Sequence, residues 1–169
     1  VAMATVRGVK LDPRALESII RFQEVLHETL GRNRRKASIG LYDLSKLSNK
    51  IYFKCLPLSE IKFMPLEKDE VLDGYRILSE TEKGRIYRNL VAENYAPVLI
   101  DSNGTFLSMA PIINSQDAKV TTKTTDILID STGFDFNFIS SIVALMAYAL
   151  SFYGGKIGFL KHNYPNSSF

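Results

Sequence analysis

A chain of 169 residues, 46% of them hydrophobic, is long enough for one domain with a real core and too short for two, so residues 1–169 are read as a single unit. Charged residues make up 23%, and 21 Lys and Arg against 18 Asp and Glu leave a net charge of +3, which excludes a disordered chain and a strongly cationic binder. One cysteine and two histidines exclude an internal disulfide and a closed Cys/His zinc site, which normally takes four such ligands.

The opening stretch Val1 to Gly8 reads as a strand and not as a secretory leader, because it lacks a basic region followed by a long apolar run. It is expected to be cut from something larger. Asp12-Pro13 is a helix start, with Asp12 free to cap and Pro13 preset for the first helical position. The helix is predicted to run to about Leu30, with Leu16, Ile19, Ile20, Gln23, Leu26 and Leu30 as its inward stripe and Gly31 as its stop. Arg32-Asn33-Arg34-Arg35-Lys36 is the one dense basic run, placed on the loop into a strand from Ala37 to Leu41.

Further strands are expected at Ile51 to Leu56, ended by Pro57, and at Ile61 to Met64, ended by Pro65. Cys55, on the same face as Phe53, is expected to be a packed thiol. Short helices are expected around Val71 to Ser79 and Thr81 to Ala92, each weakened by a glycine. Pro97 to Asp101 and Phe106 to Met109, joined by Ser102-Asn103-Gly104-Thr105, form a hairpin signal, since Asn-Gly tolerates the positive φ of a tight turn. Ile127 to Asp130 is another strand, after which Ser131-Thr132-Gly133 is expected to turn the chain. An apolar helix from about Phe136 should end at Gly154-Gly155, and Lys156 to Leu160 should close as a last strand. Its stretch from Phe138 to Tyr153 is broken by Ser140, Ser141 and Ser151 and is shorter than the ~20 residues a membrane span needs. Strands interleaved with a few helices point to an α+β fold, a layered β-sheet core with flanking helices.

Several motifs fail on spacing. His27-Glu28 lacks the second histidine of a zinc-protease helix, because Gly31 stands there, so His27 reads as a core-edge histidine. Gly154-Gly155-Lys156 is followed by Ile157 where a phosphate loop needs Ser or Thr. No Gly-x-Ser-x-Gly elbow accompanies His27 or His162, and His162 reads as part of a solvated polar tail, His162-Asn163-Tyr164. Two constellations remain. Arg32, Asn33, Arg34 and Arg35 form either a solvated face or a phosphate-contacting loop with Tyr42 near enough to stack. Asp130-Ser131-Thr132-Gly133 ends an apolar strand with a carboxylate and hydroxyls, and Asn114-Ser115 adds hydrogen-bonding groups after the hairpin.

Taken together, Leu26 to Lys36, Ile39-Gly40, Asp43-Leu44, Leu107-Ser108-Met109, Pro111-Ile112-Ile113-Asn114-Ser115 and Ile129 to Gly133 resemble the B3/B4 editing domain of the archaeal and eukaryotic phenylalanyl-tRNA synthetase β subunit. The resemblance implies hydrolysis of tyrosine wrongly esterified to tRNA(Phe). A phenylalanine pocket rejects an analogue that merely adds a hydroxyl only about a hundredfold, so a second site has to remove the error. Carried onto this chain, the editing pocket falls on Leu99, Ser108, Asp130 and Thr132, with Leu99 against the tyrosyl ring and the polar three holding the amino group, the phenol or a water. Ser108, Asp130 and Thr132 are thus the catalytic candidates, and Leu99, Asn114 and Ser115 the substrate-binding ones. No metal and no cofactor are expected in this domain; the resemblance assigns ATP, Mg²⁺ and phenylalanine to the parent enzyme. It implies three partners: the acceptor end of tRNA(Phe), the rest of the β subunit and the α subunit. It also implies a cytoplasmic setting.

The chain departs from the family pattern at Tyr42, Ala110, Thr125-Asp126 and Phe134, which bears on the pocket rim and on RNA contacts. Two other readings stand beside the editing one: a tRNA-docking module with a degenerate pocket, and a free-standing deacylase.

Overall fold

In the computed structural model, which describes residues 1–66 and 68–163, the helices start where short polar side chains can cap them. The Asp12 carboxylate accepts the Ala15 N–H at 2.7 Å and Pro13 opens the helix, as the sequence predicts. Asp73, Thr81 and Asp135 do the same for the other three. Each such cap contributes about 1 kcal/mol. The elements in chain order are β1 (Ala2–Arg7), α1 (Pro13–Glu28), β2 (Ala37–Asp43), β3 (Ile51–Pro57), β4 (Lys62–Phe63), β5 (Leu72–Asp73), α2 (Gly74–Glu80) and α3 (Glu82–Tyr87). They continue with β6 (Tyr95–Asp101), β7 (Phe106–Met109), β8 (Ile113–Asn114), β9 (Asp126–Gly133), α4 (Phe136–Ser151) and β10 (Lys156–Phe159). No helix among the described residues is long and apolar enough to cross a membrane.

Two antiparallel sheets, ordered β10-β1-β9-β2 and β3-β6-β7-β8, carry the fold. Alternation along β9 and β2 divides the first sheet's side chains cleanly. Ile127, Ile129, Ile39 and Leu41 meet α1 and α4 in one apolar cluster with Ile19, Leu26, Ile142, Val143, Met146 and Leu150. The opposite face presents Ser38, Gly40 and Tyr42 from β2 beside Leu128, Asp130 and Thr132 from β9, paired in register. That face meets the second sheet, where Tyr42 and Leu128 share a small apolar cluster with Leu99, Leu107 and Ala118. The far side of the second sheet is closed by α2, with Ile77 and Leu78 packed among Leu58, Ile61, Leu72, Val98 and Met109. The result is an α+β fold with the two sheets in the middle and helices outside.

Several expectations change. Gly31 ends α1 without a left-handed φ; a Cβ there would stand 2.5 Å from the Ala37 carbonyl oxygen and 2.8 Å from that of His27, so close approach selects glycine. The left-handed residues come next: Arg32, Asn33 and Arg34 have φ of 51°, 52° and 65°. Each costs about 1–2 kcal/mol in a non-glycine residue, so the turn needs tertiary anchors. In the hairpin loop Gly104 takes positive φ (87°), and the Asp101 carboxylate holds the turn by accepting from Asn103 N–H at 2.9 Å and Thr105 N–H at 2.8 Å. Ser131-Thr132-Gly133 does not turn the chain; these residues pair with Ile39, Ser38 and Ala37 and extend β9. Cys55 is exposed, not packed, because β3 is the edge strand of its sheet. His162 is not a free tail residue: its Nε2 accepts the Met3 N–H at 3.1 Å, while Tyr164 lies outside the described residues.

Candidate active site between the sheets

Strand register explains why residues far apart in sequence meet. Leu99 pairs with Ser108 and Ser108 pairs with Asn114, so one row across β6, β7 and β8 puts all three on the face toward the first sheet. On the facing sheet Asp130 pairs with Gly40 and Thr132 with Ser38. The two rows converge on a cavity of about 10 Å³, lined by Ser38, Gly40, Tyr42, Ser108, Asn114 and Asp130 among others. That is room for about one water.

Asp130 is the centre of this arrangement. It is 2% exposed, and its Oδ1 accepts the Tyr42 hydroxyl at 2.7 Å. The same hydroxyl is hydrogen-bonded to Ser108 Oγ at 3.1 Å, so one phenol ties the two sheets together. Burial pushes the Asp130 carboxyl up to about 7, against the opposing pull of the Tyr42 hydroxyl, the Val1 ammonium and the Gly40 N–H. The Tyr42 phenol is pushed well above its ordinary range by burial and by the neighbouring carboxylate. Gly40 is required here: a Cβ at that position would collide with both the Tyr42 hydroxyl and Asp130 Oδ1. At the edge of the row the Thr132 and Ser38 hydroxyls stand 2.5 Å apart and share a hydrogen. A carboxyl that titrates near neutrality, beside two hydroxyls and a one-water space, has the equipment of a general base.

Arg34, Ile39, Ile113 and Asn114 also line a second cleft of about 130 Å³, bounded by Leu16 and Ile20 of α1 and by Lys83 and Lys119. The cleft and the small cavity share these four lining residues. His27 lies in its wall, 1% exposed, with Nε2 accepting the Ile39 N–H at 2.8 Å; desolvation holds its ring below the ordinary histidine range, so it serves as a neutral structural acceptor.

Of the residues singled out from sequence, Ser108, Asp130, Asn114 and Leu99 come together, with Thr132 alongside through Ser38. Ser115 does not join them: it is fully buried, and its hydroxyl accepts the Asp117 N–H at 3.2 Å. The basic run divides. Arg32, Asn33 and Arg35 are exposed, but Arg34 turns inward. Its Nη1 donates to the Pro111 and Ile112 carbonyls at 3.1 and 2.8 Å, its Nη2 meets Glu24 Oε1 at 3.3 Å, and its guanidinium lies 4.6 Å from the Tyr87 ring centroid. Arg34 therefore anchors the left-handed turn and is not free to contact a phosphate.

Gly40 and Ser38 were not assigned to the pocket from sequence, and Tyr42 only as a departure bearing on its rim, although their alternation along a strand otherwise apolar at Ile39 and Leu41 is the signal that places them on one face. The departures divide, with Tyr42 at the cavity. Ala110 lines the cavity, whereas Thr125 and Asp126 lie at the opposite end of β9, roughly 13 Å or more from Asp130 at ~3.3 Å per residue. Asp126 there binds Arg7 at 2.9 Å and the Gly8 N–H at 3.0 Å. Phe134 lies beyond the strand end, fully exposed. Among the described residues no group of three or more His, Cys, Asp or Glu is placed to hold a metal ion.

Residues 10–146 match the B3/4 domain family. The chain is 42% identical over 166 residues to a phenylalanine–tRNA ligase beta subunit of Methanosphaera stadtmanae, covering 98% of this chain and 30% of that protein. It is 40% identical over 163 residues to the corresponding subunit of Sulfolobus acidocaldarius, covering 95% of this chain and 30% of that protein. A crystal structure of an N-terminal fragment of the phenylalanyl-tRNA synthetase beta subunit from Pyrococcus horikoshii superposes with a TM-score of 0.88 at 40% identity, over 92% of this chain and 45% of the fragment. The chain thus spans under a third of the length of these curated relatives.

Proposed function

This chain belongs to the B3/4 domain family, and from that membership we propose that it is a proofreading hydrolase, removing tyrosine wrongly esterified to tRNA(Phe). The observation that carries the reading is the Asp130 carboxyl, buried between two sheets, tuned to about 7 and set beside Ser108 and a space for about one water. In the proposed step a water adds to the ester carbonyl carbon while the Asp130 carboxylate takes its proton. The carbon–oxygen bond to the ribose then breaks, and the ribose oxygen receives a proton as the free hydroxyl. Ester hydrolysis is intrinsically easy, so positioning and a tuned base supply the needed rate without a second catalytic histidine. Selectivity follows from the same polar groups. Asp130 Oδ1 and Ser108 Oγ, the atoms that Tyr42 holds, can satisfy a phenolic hydroxyl while the second carboxylate oxygen takes the water's proton, whereas a phenylalanyl ring leaves them unpaired at a cost of about 1–3 kcal/mol each.

The 130 Å³ cleft between α1 and the Lys83–Lys119 side is the proposed approach for the aminoacyl end of the tRNA, with Asn114 lining both it and the cavity. Arg32, Asn33 and Arg35 remain the proposed phosphate contacts. ATP, Mg²⁺ and phenylalanine sites, the α subunit contact and a cytoplasmic setting are proposed for the longer enzyme of which this chain would be a part. The narrowness of the cavity, about 10 Å³, favours one other reading, a docking module without chemistry.

The test is deacylation by the intact polypeptide with its partner subunit. Wild type should hydrolyse Tyr-tRNA(Phe) faster than Phe-tRNA(Phe), and Asp130→Asn should slow the tyrosyl reaction by about 10²–10⁴-fold. Loss of both esters at the uncatalysed rate in wild type refutes the proposal and leaves the docking module.

A further inference from the structure

The contacts that the proposed reading allots to a substrate tyrosine are already made by the protein itself. Tyr42 is 1% exposed; its ring belongs to the apolar cluster of Leu99, Leu107 and Leu128, and its hydroxyl binds Asp130 Oδ1 and Ser108 Oγ. A phenol ring beside an aliphatic side chain, with its hydroxyl between a carboxyl and a serine, is the recognition a tyrosyl group would need. What remains is about 10 Å³, far below the ~150 Å³ of a protein cavity that takes up a single benzene ring. No aromatic ligand enters while Tyr42 is in place.

We infer that Tyr42 is the resident occupant of a 4-alkylphenol subsite formed by Leu99, Ser108 and Asp130, and that a substrate gains this subsite by displacing it. The assignment of the substrate as a tyrosyl ester rests on the proposed function; the subsite itself does not. Tyr42 is then a specificity-determining residue. Only a ligand that brings its own hydroxyl restores what Asp130 and Ser108 lose when Tyr42 leaves, and a phenyl ring without one does not. Displacement also weakens apparent affinity in proportion to how completely Tyr42 fills the site: a subsite open 1–10% of the time binds ~10- to 100-fold more weakly than an empty one.

Calorimetry with 4-methylphenol and toluene on the intact polypeptide tests this directly. Tyr42→Ala should bind 4-methylphenol at least tenfold more tightly than wild type does, and more tightly than it binds toluene; adding Asp130→Leu with Ser108→Ala should abolish the preference. Equal binding of the two ligands by Tyr42→Ala, binding of neither, or equal 4-methylphenol affinity in wild type and variant overturns the inference. Should Tyr42→Ala fail to fold, Tyr42→Phe keeps the ring but not the hydroxyl that holds it in place. Its kcat/KM on the tyrosyl ester should then rise about tenfold through a lower KM, and a kcat/KM at or below that of wild type overturns the inference. The two proposals fail separately. Phenol binding without ester hydrolysis removes the hydrolase reading alone, and hydrolysis by wild type without phenol binding in Tyr42→Ala removes the subsite alone.

Discussion

Replacing Arg34 with methionine separates the structural arginine from the exposed ones in what the sequence presents as one basic run. The guanidinium is 5% exposed and holds two carbonyls, Pro111 and Ile112, that lie 77 and 78 residues away. Removing it leaves the Ile112 contact inside the protein without its donor, and hydrogen bonds to a charged group are worth about 1.5–3 kcal/mol each. It also removes the Glu24 pair and the stacking on Tyr87, the latter worth about 1 kcal/mol. The Glu24 pair itself adds under about 1 kcal/mol, because Glu24 is 37% exposed and keeps Lys83 at 3.5 Å. Three left-handed residues then have lost their anchor. The expected loss is about 3–5 kcal/mol, or a melting temperature lower by ~6–20 °C at this chain length. Arg35→Met, on the exposed side of the same turn, should stay within ~0.5 kcal/mol of wild type. Equilibrium urea unfolding of the three proteins decides it: equal midpoints for the two variants would refute the argument that Arg34 is an internal strut.

Gly40→Ala should destabilise the fold by about 2–4 kcal/mol in the same assay, through overpacking and a broken Tyr42–Asp130 bond, although alanine is otherwise no worse in a strand; unchanged stability would mean that the sheets separate freely at this point. Asp130 gives opposite signs for stability and activity. Its folded pKa, about 7, lies above an unfolded value near 3.8, so its contribution is fully present below pH ~4 and is lost as pH rises through 7, by at most about 4 kcal/mol. Deacylation by the carboxylate form should instead rise through pH ~7, a rise that Asp130→Asn removes; a flat wild-type profile would exclude Asp130 as the base. Arg32→Ala with Arg35→Ala should lower the slope of log affinity for tRNA against log salt by up to ~2, and an unchanged slope would return that loop to a solvated face.

Much of the frame could be read from sequence because its causes are local. Asp12-Pro13 caps and presets a helix within four residues, and the Ser102–Thr105 loop joins strands that pair directly across it. The misread positions share a different property: what decides them lies far along the chain. Ser131-Thr132-Gly133 has the composition of a turn, yet β2 supplies a pairing partner for each residue, and a ladder partner outweighs turn propensity. Gly31 looks like a helix stop by conformation, but the Ala37 carbonyl is what forbids a side chain there. Cys55 follows an apolar pattern on a strand whose outer edge nothing among the described residues pairs with.

The candidate site shows the same division more sharply. Asp130 stands out as a carboxylate at the end of an apolar strand, but Ser108 and Leu99 are identified through family resemblance, since a serine and an aspartate on separate strands carry no local mark of being neighbours. Tyr42 and Gly40, by contrast, carry a local mark that only the facing sheet makes meaningful. Ser38, Gly40 and Tyr42 alternate along β2, an arrangement that by itself says only that one face is less apolar than the other. Once the second sheet closes over that face, the missing Cβ of Gly40 becomes the space in which Tyr42 and Asp130 meet, and the burial that follows is what raises the Asp130 pKa toward neutrality. Glycine at position 40 is therefore as much a condition of the proposed chemistry as the carboxylate, though it contributes no functional group.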